Sequence, residues 1–340
     1  MKEISSKAGL LLQLREKQGS PVSGTVLAKE LGISRVAVWK TVQALLEAGY
    51  SIETKDTGYL LDPKNEKDFL YPWEFMQRDF LFFHHKNTGS TMDRARELAL
   101  RGIDSAVVSA DRQSSGKGRS GRTWISRQGG LFFTFLERPR LAVADYNLHS
   151  IIMQIALVRT VSSVCGKQAY LRWPNDVYIN KRKIAGVITE ISGEGDLIKW
   201  ISLGVGLNIN NHIPSGKAAS CAEITGRNLS RRDILISLLE EAEKIKKTFS
   251  TSAVYSQGSH ALANEWNSLS DCLGAKAVVF EPNDATQTGN ASVHKSKPEK
   301  ILARGIFEGI DPIGRCILKT KDGKLFFNQG SVSLAFLNPD

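Results

Sequence analysis

Gln113-Ser114-Ser115-Gly116-Lys117-Gly118-Arg119-Ser120-Gly121-Arg122-Thr123-Trp124 holds three glycines, three cations and a terminal indole. How it is read decides the fold. Gly116, Gly118 and Gly121 have the G-x-G-x-x-G spacing of a dinucleotide fingerprint, and the S-A-V-V-S-A-D run before them reads as a strand. A helix should then follow, with its N-terminus against a pyrophosphate. Arg122-Thr123-Trp124-Ile125-Ser126 has no helical face, which rejects a doubly wound dinucleotide sheet. No G-x-x-x-x-G-K string followed by Ser or Thr occurs, so a P-loop has no support. Two readings remain: a solvated surface loop, or an anion site. Glycines let backbone N–H groups approach a ligand closely. Lys117, Arg119 and Arg122 supply charge, Arg in a planar fork matched to phosphate or carboxylate. Trp124 offers a flat apolar face.

The 340 residues and 41% hydrophobic content suffice for a sizeable core and two or three domains. No apolar run approaches membrane-spanning length, so no transmembrane helix and no membrane partner are expected. L-L-L-Q-L near the N-terminus reads as part of an amphipathic helix and not as a secretory signal. Cys165, Cys221, Cys272 and Cys316 lie far apart with no C-x-x-C, which fits reduced thiols in a cytoplasm better than disulfides or zinc. The adjacent His84 and His85 would point to opposite faces of a strand, and the six histidines form no recognisable metal cage. A net charge of +10 favours anionic partners such as nucleotides or nucleic acid.

Residues 1–62 read as a winged helix. Lys7 to Glu16 suggests a first helix. Thr25 then caps V-L-A-K-E-L, Gly32 turns, and Ser34 caps a longer helix from Arg35 to about Ala48, with Val38, Trp39, Val42, Leu45 and Leu46 on one face. S-I-E-T and G-Y-L-L form a small hairpin around Lys55-Asp56-Thr57. Two helices joined through a glycine turn are the helix-turn-helix pattern. DNA reading would place Ser34, Arg35, Val38, Lys40 and Thr41 toward a major groove; the alternative is a protein-interaction module. This segment has eight Lys or Arg against seven Asp or Glu, a net of +1. Phosphate contacts dominate DNA affinity, so one copy would bind weakly and a dimer would be needed.

Residues 63–75 are polar, with two prolines, and read as a linker. From 76 to 270, strands at L-F-F-H-H, S-A-V-V-S-A-D, L-F-F-T-F-L, Y-L-R-W, A-G-V-I-T-E-I and K-W-I-S-L-G-V-G-L-N-I are interspersed with helices at Asp93–Arg101, Asp145–Cys165 and Ser230–Ser250. That suggests an α+β unit, a mixed sheet with helices on one face. Gly89-Ser90-Thr91 precedes a helix and either caps it or donates into a pocket. In Arg172-Trp173-Pro174-Asn175-Asp176, Pro174 bars helix; Asn175 could read an adenine edge or ribose and Asp176 could bind Mg²⁺, or both could serve an Asx turn. Lys183 lies in a hairpin-like N-K-R-K-I-A-G, and Gly204-Val205-Gly206-Leu207-Asn208 puts glycines inside a strand, for a bulge or a close ligand. Residues 271–340 turn to short strands with a hairpin at Asp322-Gly323, a small barrel interrupted by a polar insertion at 281–300 that reads as mobile.

The order of these parts is more specific than any one of them. A winged helix, G-S-T before a helix, Q-x-x-G-K-G-R-x-G-R-x-W, W-P-N-D, K-I-A-G, G-x-G-x-N and a small β-barrel together resemble the biotin protein ligases, specifically the bifunctional kind that also represses the biotin operon. The resemblance covers nearly the whole chain. It implies a class II synthetase-like sheet, an SH3-like C-terminal barrel, and a two-step reaction. Biotin and Mg·ATP would give biotinyl-adenylate and pyrophosphate, and the biotinyl group would pass to a lysine of a biotin carboxyl carrier protein. It implies Ser90, Thr91, Met92, Gln113, Gly116, Lys117, Gly118, Arg119, Lys183, Gly186 and Gly204 around biotin. Arg119, Arg122, Trp124, Asn175, Asp176, Lys183 and Asn208 would face ATP or the adenylate, Asp176 with Mg²⁺, and Lys183, Arg119 and Arg122 would do the catalytic neutralising. It also implies operator DNA and a ligand-promoted homodimer as partners. The family loop usually reads G-R-G-R, and here Lys117 keeps the charge without the fork. Asn211 to Thr225 would be a second adenylate-ordered loop, with no aromatic to stack on adenine. The rivals are a lipoate or octanoyl transferase, and a ligand-sensing transcription factor without ligase activity.

Overall fold

The computed structural model describes residues 5–17, 19–62, 68–75, 79–139, 141–214, 216–250, 255–281, 300–329 and 332–337. Contacts divide the chain into Met1–His84 and His85–Asp340. The first unit begins with α1 (Ser6–Glu16), α2 (Gly24–Leu31) and α3 (Arg35–Glu47), followed by the hairpin β1 (Ile52–Lys55) and β2 (Gly58–Leu61). Each helix starts on a serine whose hydroxyl accepts an otherwise orphan N–H: Ser5 from Ala8, Ser23 from Val26 and Ser34 from Ala37. Ser23, and not Thr25, therefore caps α2. Thr25 is already the second residue of the helix, two positions past the cap. Gly32, at φ +62°, ends α2 in the left-handed conformation the turn into α3 needs. Leu10, Leu11, Leu14, Leu27, Val38, Val42 and Leu45 form the core. Trp39 does not join it: it is 53% exposed.

Of the stretch expected to be a linker, 63–67 lie outside the described residues, while Phe69, Tyr71 and Trp73 pack against the winged-helix core. Glu74, only 2% exposed in its side chain, accepts two bonds from Arg15 at 2.8 and 2.9 Å and one from the Tyr50 hydroxyl at 2.5 Å. Burial, and then Glu74, push the Tyr50 phenol well above its ordinary range.

A seven-stranded sheet follows, in the order β3-β4-β5-β9-β8-β7-β6. Its strands are β3 (Leu81–Thr88), β4 (Ser105–Gln113), β5 (Leu131–Glu137), β6 (Tyr170–Arg172), β7 (Asp176–Ile179), β8 (Arg182–Glu194) and β9 (Leu197–Leu207). Ser114 and Ser115, just past β4, donate to Thr88 and Gly89 at the end of β3 (2.9 and 2.8 Å). The two strands thus run the same way, joined over the crossover helix α4 (Thr91–Leu100). From β4 to β6 every pairing is antiparallel, so the sheet is mixed. Helix α5 (Asn147–Cys165) packs on β6 to β9 and on α6 (Cys221–Thr225), α7 (Arg231–Ser250) and α8 (Tyr255–Ser268). At 19 residues and mean hydropathy 1.4, α5 corrects the expectation that no apolar run approaches spanning length. It is the core helix, 72% of its most apolar window being buried. The four cysteines are buried and free.

The described residues of 271–340 form a five-stranded antiparallel sheet ordered β13-β12-β11-β10-β14. Its strands are β10 (Lys276–Phe280), β11 (Ile301–Ile310), β12 (Cys316–Thr320), β13 (Gly323–Phe327) and β14 (Ser333–Leu337). The insertion expected at 281–300 lies outside the described residues except for its ends, where Glu281 N–H donates to the Lys300 carbonyl at 2.9 Å.

One ion cluster ties the sheet to two helices. Glu137, ending β5, lies 2.8 Å from His149 Nε2 on α5 and 2.6 Å from Lys246 Nζ on α7. Burial alone would raise the Glu137 pKa, but the hydrogen bonds and charges of His149 and Lys246 outweigh it and hold the carboxyl at about 2 against an ordinary 4.5. A depressed carboxylate contributes stability that is complete above pH 4.5 and is lost as pH falls toward 2. The contribution is on the order of 3 kcal/mol. Urea melts of wild type and Glu137→Gln across pH 2–7 should therefore converge at the acid end. Parallel curves would show that the cluster does not carry this pH dependence.

Candidate active site

The Gln113–Trp124 stretch folds as a tight loop closed by backbone bonds. Trp124 N–H donates to the Gly116 carbonyl at 2.8 Å, Gly118 N–H to Arg122 at 2.8 Å, and Arg122 N–H to Arg119 at 3.1 Å. No helix follows. A Cβ on Gly116 would lie 2.5 Å from the Trp124 carbonyl oxygen, so the loop closes only with glycine there. At its tip Ser120 takes a left-handed φ of +51°.

This loop borders a cavity of about 410 Å³. Of the residues singled out in the sequence, Ser90, Thr91, Met92, Gln113, Lys117, Gly118, Arg119, Arg122, Trp124, Asn175, Asp176, Lys183, Gly186 and Gly204 all line it. Residues from four separated segments thus converge on one space. Gly116 sits behind the wall. Asn208 is 5% exposed and does not line the cavity; its Oδ1 accepts from Asn211 Nδ2 at 3.0 Å.

One wall is a hydrogen-bonded relay. Thr91 N–H and hydroxyl both donate to Gln113 Oε1 (2.8 and 3.1 Å). Thr134 donates to the Thr91 hydroxyl at 2.9 Å, and Gln113 Nε2 donates to Ser126 at 2.8 Å. Ser90 caps α4 by accepting from Met92 N–H at 3.2 Å. The floor is made of glycines. Gly186 and Gly206 face each other across β8 and β9, and the Trp124 indole lies on them. A Cβ on Gly206 would sit 2.3 Å from Trp124 Cε2, and one on Gly204 would sit 2.5 Å from Met92 Sδ. These in-strand glycines therefore admit two side chains close to the sheet.

The charge balance points to an anion. Lys117 pairs with Asp93, Arg172 forms a fork with Asp271 (2.9 and 2.7 Å), and Lys183 Nζ lies 2.7 Å from Asp176 Oδ1. Among the described residues Asp176 is the one acid lining the cavity. Among the described residues Arg119 and Arg122 have no carboxylate partner; Arg119 instead donates to the carbonyls of Gln329 and Val332. Burial lowers the Arg119 pKa, Asp176 opposing that and Arg122 adding to it. A half-buried guanidinium beside a second one is relieved by an incoming anion. Trp124 Nε1 is buried without a hydrogen-bond partner, an unused donor in the same wall. Lys183 Nζ lies 5.1 Å from that ring's centroid.

Asn175 is more tied down than the sequence suggested: its Nδ2 donates to the Val187 carbonyl at 2.5 Å. Lys183 is held at both backbone groups, its N–H on the Lys217 carbonyl and its carbonyl on Ala219 N–H, each at 3.0 Å. The Asn211–Thr225 segment thus fixes the lysine. The sequence missed Thr123, Tyr178 and Ile188, and missed Ser333, Leu334 and Phe336 of β14. Burial, then Asp176, push the Tyr178 pKa up to about 12. Nothing in a strand two hundred residues away signals that it borders the loop.

On α3, Ser34 is the cap, Arg35 and Lys40 are exposed, and the Thr41 hydroxyl donates to the Ala37 carbonyl at 2.8 Å. Val38 is fully buried in the core, which corrects its placement toward DNA: helical spacing puts it on the same face as Val42 and Leu45.

Residues 89–208 match the model of the biotin/lipoate A/B protein ligase family, and residues 8–60 match an HTH domain model. The chain is 30% identical over 257 residues to the bifunctional ligase/repressor BirA of Bacillus subtilis, covering 71% of this chain and 78% of that protein. It is 30% identical over 246 residues to the biotin–(acetyl-CoA-carboxylase) ligase of Paracoccus denitrificans, covering 70% and 93%. Among solved structures, the biotin protein ligase of Aquifex aeolicus in complex with biotin and ATP superposes with a TM-score of 0.59 at 24% identity, over 75% of this chain and 99% of that one.

Proposed function

This chain belongs to the biotin/lipoate A/B protein ligase family, and on that premise we propose that it joins biotin to a protein lysine and represses transcription in response to the same ligand. The carboxylate of biotin attacks the α-phosphorus of ATP, releasing pyrophosphate. The lysine amine of a biotin carboxyl carrier protein then attacks the carbonyl of the mixed anhydride, releasing AMP. The observation that carries this reading is Arg119, half-buried and, among the described residues, without a carboxylate partner, in the cavity that Lys183 also enters. A carboxylate and a triphosphate repel each other, and only cations placed between them lower the barrier to attack.

In this reading Ser90, Thr91, Met92, Gln113, Gly116, Lys117 and Gly118 hold the rings and tail of biotin, with Gly186 and Gly204 beneath. Lys183 bridges its carboxylate and the α-phosphate. Arg119 and Arg122 neutralise the phosphate, Trp124 closes over the adenylate, and Asn175 and Asn208 support the nucleotide side. Mg²⁺ enters as part of the nucleotide substrate. Among the described residues no three His, Cys, Asp or Glu side chains gather to hold a resident ion. Asp176, already beside Lys183, suits an ion carried mainly by phosphates. No enzyme nucleophile is needed, and the loop must shield the anhydride from water. We read the C-terminal sheet as a small SH3-like barrel and residues 1–62 as the operator-binding unit.

The test is mass spectrometry of a carrier domain incubated with the protein, Mg·ATP and either biotin or lipoate. Biotin should add to one lysine and lipoate should not; addition of lipoate alone would favour the acyl-transferase rival. For the repressor role, ordering of the loop by adenylate would favour a homodimer that spans two half-sites. Sedimentation should show monomers becoming dimers with biotinyl-adenylate, and an unchanged monomer would remove that switch.

A further inference from the structure

Trp39 and Val36 are the anomaly of the first unit. Val36 is 62% exposed and Trp39 53%, while Val38, Val42 and Leu45 of the same helix are fully buried. α3 is only 13 residues long, and its core face is complete without them. Both outlying side chains line a surface concavity of about 530 Å³ between the start of α2, the N-terminal half of α3 and the β1–β2 hairpin. Arg35 shares that concavity with them, and Lys40 is exposed one residue beyond Trp39. The apolar pair is bordered by Arg35, by Lys55 and Asp56 of the hairpin, and by polar side chains at the start of α2.

The second helix of a helix-turn-helix meets base edges through its N-terminal residues. The major groove offers one apolar feature, the 5-methyl group of thymine. Residues 1–62 carry a net charge of +1, which leaves the phosphate term small, so discrimination has to come from the bases. We propose that Val36 and Trp39 form an apolar reader of thymine methyl groups in the operator, with Arg35 and Lys40 placing the helix on the flanking backbone. The proposal rests on the repressor reading and adds the two side chains that set its specificity. They replace Val38, which cannot leave the core.

The test uses the full chain with biotin and Mg·ATP. A bound duplex is first selected from a random pool. Each thymine of that duplex is then replaced singly by deoxyuridine, which removes only the methyl group. Wild type should lose about fourfold in affinity at one or two positions per half-site, the worth of one buried methyl. Val36→Ala and Trp39→Ala should bind thymine and uracil versions alike while keeping wild-type biotin-ligase activity, which shows that they fold. Equal wild-type binding to both duplexes, or variants as methyl-sensitive as wild type, would overturn the proposal. If the selection enriches no sequence, the repressor reading itself falls, and this proposal with it.

Discussion

Lys183→Ala should slow pyrophosphate release from biotin and Mg·ATP by about a hundredfold to a thousandfold, the usual cost of removing one charged donor from an activated centre. Two effects add. The ammonium no longer neutralises the carboxylate and phosphate as they approach. Asp176, 2.7 Å from that ammonium, becomes an uncompensated anion where negative charge must enter. Because interactions made only in the transition state act on kcat, the loss should fall mainly there and less on KM. The side chain is 29% exposed, and its backbone bonds to Lys217 and Ala219 survive the change, so thermal stability should hardly move. A variant that releases pyrophosphate at the wild-type rate would show that Lys183 stands outside the chemistry.

The second large effect concerns the glycine floor. Gly206→Ala puts a methyl group 2.3 Å from Trp124 Cε2 and 2.6 Å from its Nε1. Backbone pairing on both sides of β9, to Gly186 and to Phe132, keeps the strand from yielding. The indole must therefore leave. It takes with it a wall of the cavity, the unused Nε1 donor and the ring near Lys183. Overpacking of this kind costs about 1–3 kcal/mol, so biotin affinity by calorimetry should fall roughly tenfold to a hundredfold. Gly186→Ala is the graded control, because its methyl would meet Trp124 at 3.2 Å and should cost less. Unchanged affinity in Gly206→Ala would mean that Trp124 does not shape the ligand site.

Much of this was legible in the chain. The failed helix after Gly121 excluded a dinucleotide fold, and the loop is indeed closed by backbone bonds with Trp124 at its base. Motifs written in short, continuous strings brought their residues to one cavity because each string sits at a strand end or strand turn. Three things escaped. Ser23 and Thr25 are both good caps, and only the geometry of the first turn separates them. Val38 shares its helical spacing with Val42 and Leu45, and Trp39 with Val42 and Leu46, so spacing put both on the core face although only Val38 is buried there. The Gln329 and Val332 carbonyls, just before β14, meet Arg119 from more than two hundred residues away, and a contact at that range leaves no local trace.

If the Gly116–Arg122 loop and Lys183 together generate and retain an activated biotin without a covalent link to the enzyme, that species should survive the removal of free ligand. The experiment mixes the protein with biotin and Mg·ATP, omits any carrier, removes free ligand, denatures, and identifies what is released by mass spectrometry. We expect close to one biotinyl-5′-AMP per chain and no mass added to the protein. Recovery of a protein adduct, or of unreacted biotin and ATP alone, would contradict the account.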